Sequence, residues 1–227
     1  VWGVSLHSSR VVSFVQYYYA AEVSFRFKTQ SANRPIMQKI ILASVSPWRK
    51  KILASTGIPF RVEESGYEEN MKLKLAPRVL ARHLALGKAT KVAKRHENAI
   101  VIGADTFAVF RGKLLGKPHT PKMAIQMLNM LSGKNHTLLT GFAIVDSKTG
   151  RHVSKTVETR VTFRKLSARE IATYVQTGES LHVAGAYAIQ GRGAKLIEKI
   201  EGDPNNIAGL PLSAVVEELK KFGVHVK

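Results

Sequence analysis

The stretch Lys39-Ile40-Ile41-Leu42-Ala43-Ser44-Val45-Ser46-Pro47-Trp48-Arg49-Lys50-Lys51-Ile52-Leu53 decides the fold class. Its first five residues form an apolar run too short for a helix of useful length, which reads as a buried strand. Ser46 is a residue type that caps helix starts, and Pro47 carries the fixed φ that suits a first helical position. The helix is expected to run to about Thr56 and to stop at Gly57, where a left-handed residue ends it cheaply. A buried strand that feeds a capped helix opens an α/β unit.

The same alternation continues outward. Residues 77–95 read as a long helix with Leu80, Leu84 and Val92 on its apolar side. Residues 99–104 (AIVIGA) read as a second buried strand. Residues 121–131 read as a helix capped by Thr120 and ended by Gly133, with Ala124, Ile125, Met127, Leu128 and Leu131 as its stripe. Residues 138–145 and 153–163 read as paired strands. Ser167-Ala168-Arg169-Glu170 is a capping box opening a helix that Gly178 closes. Two more strands are expected over 184–190 and 195–200, and a last helix over 211–222 with Leu212, Val215, Val216 and Leu219 inward. The sum is an α/β fold: one mixed-sheet domain with flanking helices over residues 37–227, preceded by an extension over 1–36. That extension reads as lying upstream of the functional start or as poorly ordered, with 23–28 alternating like a stray edge strand.

Composition narrows the function. The 227 residues are 44% hydrophobic and 22% charged, which excludes a disordered chain. There is no cysteine, so a disulfide scaffold, a thiolate zinc site and a cysteine nucleophile are excluded together. The formal charge of +19 favours anionic partners. It is spread over the chain, since residues 1–36 hold only Arg10, Arg26, Lys28 and Arg34 against Glu22. A basic arm for DNA would concentrate it. The longest apolar run, VVSFVQYYYAA over 11–21, is too short for the roughly 20 residues of a membrane span. There is no HExxH or GxSxG. The run Gly112-Lys113-Leu114-Leu115-Gly116-Lys117-Pro118 is one residue short of a P-loop and has Pro where Ser or Thr should follow. Gly191-Arg192-Gly193 lacks the third glycine of a dinucleotide fingerprint.

Three segments carry possible chemistry, and each also suits an ordinary structural role. Ser44, Ser46 and Arg49 sit at a strand-to-helix turn, where free N–H groups, hydroxyls and a guanidinium attract phosphate. Asp105, in Gly103-Ala104-Asp105-Thr106, is expected just past a buried strand, at the sheet edge where α/β proteins hold ligands. A carboxylate there can bind a hard cation or orient water. Lys117 follows a glycine turn and could neutralise phosphate charge. The plain readings are a capped basic helix, a turn aspartate and a surface lysine.

The motifs ILASVSPWRKKIL, VIGADT, LLGKP, LSGKNHTLLTG, AGAYAIQG and GDPNNIAGLPL, in that order over about residues 38–224, resemble the Maf family. The resemblance implies a fold related to the inosine triphosphatases. It also implies a nucleoside triphosphate pyrophosphatase that uses Mg²⁺ or Mn²⁺, is cytoplasmic and is often a homodimer. By position it makes Asp105 the catalytic aspartate and a metal ligand, with Glu69 as the metal partner. Here Glu68 stands where the family usually has Asp. Ser46 and Arg49 match the anion-binding turn beside Ser44, and Lys88 and Lys117 match the family's two lysines. Trp48, Thr106 and Gln190 fall where the dTTP/UTP branch and the 7-methyl-GTP branch differ. Trp48 matches the second branch, whereas Thr106 and Gln190 match the first. The amide of Gln190 both donates and accepts, which suits the imide edge of a pyrimidine. Trp48 would offer a stacking face to a methylated purine. The balance favours dTTP or UTP over 7-methyl-GTP. A nucleic-acid-binding module without turnover, or a cell-division regulator, stays as the alternative from another class.

Overall fold

The computed structural model describes residues 5–7, 38–70 and 73–225. Of the expected extension only Ser5–His7 falls within these residues. It forms β1, and the alternating stretch 23–28 lies outside them. The elements that follow are β2 (Lys39–Leu42), α1 (Pro47–Ala54), β3 (Arg61–Val62), α2 (Pro77–Ala93), β4 (Ala99–Phe110) and β5 (Lys113–Leu115). Then come α3 (Pro121–Leu131), β6 (Asn135–Asp146), β7 (His152–Phe163), α4 (Ala168–Gln176), β8 (Ile197–Glu201), α5 (Pro204–Ile207) and α6 (Leu212–Lys221). The strands form one mixed sheet in the order β1-β8-β7-β6-β4-β2-β3, with β5 hydrogen-bonded to β4. β2 runs parallel to both β3 and β4, and every other pairing is antiparallel.

The caps act where the sequence puts them. Ser46 Oγ accepts from the Arg49 N–H, Thr120 caps α3, and Ser167 with Glu170 closes a complete capping box on α4. Along β4 the side chains alternate between two cores. Val101 faces α2 with Ile41, Ala85, Ala89 and Ala143. Ile100, Ile102 and Ala104 face α1 and α6 with Ile52, Leu53, Val215 and Leu219. Each fully buried aliphatic side chain here contributes about 1.5–3 kcal/mol. A third core, under α3 and α4, gathers Leu128, Leu131, Phe163, Ile171 and Tyr187. Among the described residues no helix is long and apolar enough to cross a membrane.

Several expectations are corrected. β4 does not end at Ala104. Its pairing with β6 continues from Ile100 to Val109, so Asp105 lies within the strand rather than past it. The run 184–190 is not a strand. Gly185 and Ala186 take φ of 77° and 63°, which turns the chain into a 3₁₀ segment (Ala184–Ala186), and a second one (Arg192–Leu196) follows. Strand β8 therefore begins at Ile197 and not at residue 195. Ile125 is exposed on the rim of the α3 stripe, and Val216 is only partly buried.

Candidate active site

The β-ladder leaves a slot beside Asp105. β6 fills one edge of β4 from Ile100 to Val109. β2 covers the other edge only from Ala99 to Ile102, and β5 covers it only from Ala108 to Phe110. Between them, residues 103–107 of β4 have no strand partner on that side among the described residues. The turn Ser44–Arg49 leaves the end of β2 into this gap. Past Leu115 the chain leaves the ladder, where the Gly116 carbonyl accepts from the Gly185 N–H at 3.3 Å and Lys117 is exposed. Two of the three segments singled out from the sequence, the Ser44–Arg49 turn and β4 at Asp105–Thr106, thus meet at one gap in the sheet.

Strand alternation sends Asp105 and Thr106, both in the gap, to opposite faces. Asp105 points to the α2 face. The Lys88 ammonium there donates to Asp105 Oδ1 at 2.5 Å and pairs with Glu69 Oε1 at 2.7 Å. Lys88 and Asp105 are buried, whereas Glu69 is exposed. Asp105 Oδ2 is buried and has no hydrogen-bond partner among the described residues. Burial raises the Asp105 pKa above the usual carboxylate range, against the lowering pull of Lys88 and Arg49, while Glu69 adds to the rise.

Lys88 reaches Asp105 because α2 lies directly on the sheet. A Cβ on Gly103 would come within 2.9 Å of Ala89 N, and one on Gly141 within 2.6 Å of Arg82 N. Glu69 is delivered by the loop after β3. Tyr67 of that loop lies over Gly87, where a Cβ would meet its hydroxyl at 2.7 Å. Arg95 donates to Glu63 Oε1 at 2.6 Å and to the carbonyls of Glu64 and Ser65, and Lys91 donates to the Gly66 carbonyl. Hydrogen bonds from Arg95 and His96 hold the Glu63 carboxyl below its usual range.

Thr106 points to the α1 face and meets Arg49. The guanidinium donates from Nε to the Gly209 carbonyl at 2.8 Å. It also donates from Nη1 to Ser44 Oγ at 3.2 Å and from Nη2 to Thr106 Oγ1 at 3.2 Å. Of its five N–H groups, one on Nη1 and one on Nη2 remain for a ligand among the described residues. Ser44 Oγ also accepts from the Ser46 N–H at 3.3 Å, so its own proton stays available. Burial lowers the Arg49 pKa from its usual value, and Asp105 and Glu69 oppose this.

The other candidates lie further out. Lys117 is exposed just past β5 and is not among the charges acting on Asp105. Trp48 is partly buried in the first turn of α1. Gln190 is partly buried between the two 3₁₀ segments, the first of which sits on Ala108 through Gly185. Thr140, Asn206 and Gly209 were missed as site residues. They stand in the motifs LLTG and NNIAGL, whose only local signal is a glycine beside small polar groups.

The family model described as Maf-like protein matches residues 39–222. The chain belongs to the Maf family. Among its relatives is the dTTP/UTP pyrophosphatase of Moorella thermoacetica, 47% identical over 190 residues, covering 84% of this chain and 98% of that protein. The dTTP/UTP pyrophosphatase of Pelotomaculum thermopropionicum is 43% identical and covers 84% and 100%. That of Methanosarcina mazei is 43% identical and covers 84% and 97%. A crystal structure of a nucleoside-triphosphatase / dITP/XTP pyrophosphatase from Mycobacterium abscessus matches 83% of this chain at 14% identity with a TM-score of 0.39. The Maf residues 39–222 contain every element that builds the slot, from β2 to α6.

Proposed function

We propose that this Maf protein hydrolyses dTTP or UTP to the monophosphate and pyrophosphate. The relatives' shared activity supports the substrate class. The observation that carries the chemistry is the buried Asp105 Oδ2, which has no hydrogen-bond partner among the described residues while Lys88 holds Oδ1.

The donor set fits a divalent cation. The two carboxylates that flank Lys88 are hard oxygen donors, one with an orphaned buried oxygen. Mg²⁺ and Mn²⁺ are commonly bound by one or two carboxylates together with substrate phosphates. Asp105 and Glu69 would hold that ion, and when bound it would neutralise triphosphate charge. The remaining work falls to the chain's own residues. Asp105 Oδ2 takes a proton from a water directed at the α-phosphorus. The two spare N–H groups of Arg49 form a fork that matches two phosphate oxygens. The Ser44 hydroxyl donates a third hydrogen bond. Lys88 and Lys117 offset the charge that builds on the departing pyrophosphate.

The test is pyrophosphate release from dTTP, UTP, CTP and 7-methyl-GTP with Mg²⁺ or Mn²⁺. Release from dTTP and UTP is expected, with Asp105→Asn slower by about 10²–10³. A preference for 7-methyl-GTP would overturn the pyrimidine reading and point to Trp48 as the selecting face. No release from any triphosphate, or an Asp105→Asn protein as fast as the parent, would overturn the reading as a whole.

A further inference from the structure

Arg49 is held by a closed ring of hydrogen bonds. Its Nη2 donates to Thr106 Oγ1 at 3.2 Å. Thr106 and Thr140 share a hydroxyl contact of 3.0 Å, and Thr140 Oγ1 donates to the Asn206 carbonyl at 2.9 Å. A hydroxyl has one proton, so Thr140 spends its own on Asn206, and Thr106 must be the donor between the two threonines. The Asn206 carbonyl also accepts from the Gly209 N–H at 3.1 Å, and the Gly209 carbonyl accepts from Arg49 Nε at 2.8 Å. Every link is a donor meeting an acceptor, and the polarity of the whole ring follows from the Thr140–Asn206 bond. The ring joins the first turn of α1, β4, β6 and the turn after α5.

Its far side is anchored. Asn206 Nδ2 donates to the Leu138 carbonyl at 3.0 Å and to Thr159 Oγ1 at 3.1 Å. Thr140 and Asn206 are completely buried. A reversed Thr106 hydroxyl would bring its proton against the Arg49 N–H and leave Thr140 Oγ1 without a donor, so the guanidinium has one low-energy setting.

We infer that Thr140 is a positioning residue for the hydrolysis. It fixes the direction of the Thr106 hydroxyl, and so sets the Arg49 fork before substrate arrives. The inference rests on the proposed function for its consequence in turnover. Its geometry can also be read without turnover, from binding of inorganic tripolyphosphate. Thr140→Val keeps the side-chain shape and removes both the acceptor for the Thr106 hydroxyl and the donor to Asn206. It is expected to lower kcat/KM for dTTP about tenfold or more and to weaken tripolyphosphate to a similar degree. Thr140→Ser, which keeps the hydroxyl, is expected to restore most of both. The decisive measurement is a double-mutant cycle with Arg49→Ala. If Thr140 acts through Arg49, adding Thr140→Val to Arg49→Ala changes tripolyphosphate affinity less than about twofold. An equal loss in both backgrounds, or no loss in the parent, would overturn the inference. If Thr140→Val does not fold, Thr106→Val cuts the ring one link nearer the guanidinium and runs through the same cycle. A parent protein that binds tripolyphosphate but releases no pyrophosphate from any triphosphate would sink the proposed function and leave this inference still decidable by the cycle.

Discussion

Arg49 shows how one side chain can be legible while its setting is not. Its position after a Ser-x-Ser-Pro turn makes it a candidate anion binder in the sequence. The carbonyl that orients it belongs to Gly209, 160 residues away, and no local pattern announces that contact. Gly209 has φ of 104°, and a Cβ there would lie 3.1 Å from Arg49 Nε and 3.3 Å from Thr106 Oγ1. Gly209→Ala therefore combines backbone strain with pressure on the guanidinium. The expected result is a stability loss of about 1–3 kcal/mol together with a fall in kcat/KM at temperatures where the variant is still folded. Thermal melts and dTTP kinetics on the same preparation check both parts. A variant that melts early yet keeps normal kcat/KM would show that Arg49 does not depend on this turn. Thr106 teaches the same lesson from the other side. The resemblance places it among the base-specificity positions, and its hydroxyl is also engaged with Arg49 and Thr140.

Helix α2 is where local pattern and tertiary placement separate. Its length and its apolar side were legible in the spacing of Leu80, Leu84 and Val92, all three fully buried or nearly so. What was not legible is how closely it lies on the sheet, because that depends on Gly103 and Gly141, which sit diagonally to each other, two residues out of register, on paired strands. Their register sets Gly103 against Ala143 and Asp105 against Gly141. Gly141→Ala would push a methyl group to 2.6 Å from Arg82 N, against backbone that cannot yield as a side chain would. A loss of about 1–3 kcal/mol is expected from this overpacking, and more if the helix cannot shift. Because α2 carries Lys88, turnover should fall further than the population of folded protein does. Urea unfolding beside kinetics separates the two effects, and a stable, fully active variant would show that α2 adjusts freely. The end of β4 was misread for a related reason. A strand buried on both faces has no alternation to follow, so the first charged residue, Asp105, looked like its end. β3 and β5 are two and three residues long and leave no periodic trace. The 3₁₀ segments were hidden because AGAYAI is apolar enough to pass for a strand.

At the scale of the molecule, charge and burial make separate predictions. A formal charge of +19 should draw a triphosphate toward the slot, so kcat/KM for dTTP is expected to fall severalfold between about 50 mM and about 500 mM KCl at fixed metal concentration, with kcat much less affected. A kcat/KM that ignores salt would show that the positive field does not reach the site. Burial acts on stability through His136 of β6. Its Nε2 meets the Tyr187 hydroxyl at 2.8 Å, and its ring stands edge-on to Phe163 and Tyr187, so it ties the turn segment after α4 to the sheet. Burial lowers its pKa from 6.5 to about 4. The unfolded chain therefore takes up a proton on this histidine as pH drops below about 6.5, while the folded chain does so only near pH 4. In that window the unfolded state binds more protons, and stability must fall as pH falls. The slope approaches about 1.4 kcal/mol per pH unit, for a total of about 3 kcal/mol, and levels off below pH 4. Glu63 and Glu218, whose pKa values are lowered by hydrogen-bonded cations, give the same sign of dependence below about pH 4.5. His136→Gln keeps a hydrogen-bonding group near Tyr187 and has no titration in this range. Urea midpoints of the parent and this variant at pH 7, 6 and 5 should therefore converge as pH falls, while parallel lines would mean that His136 titrates alike in the folded and unfolded chains.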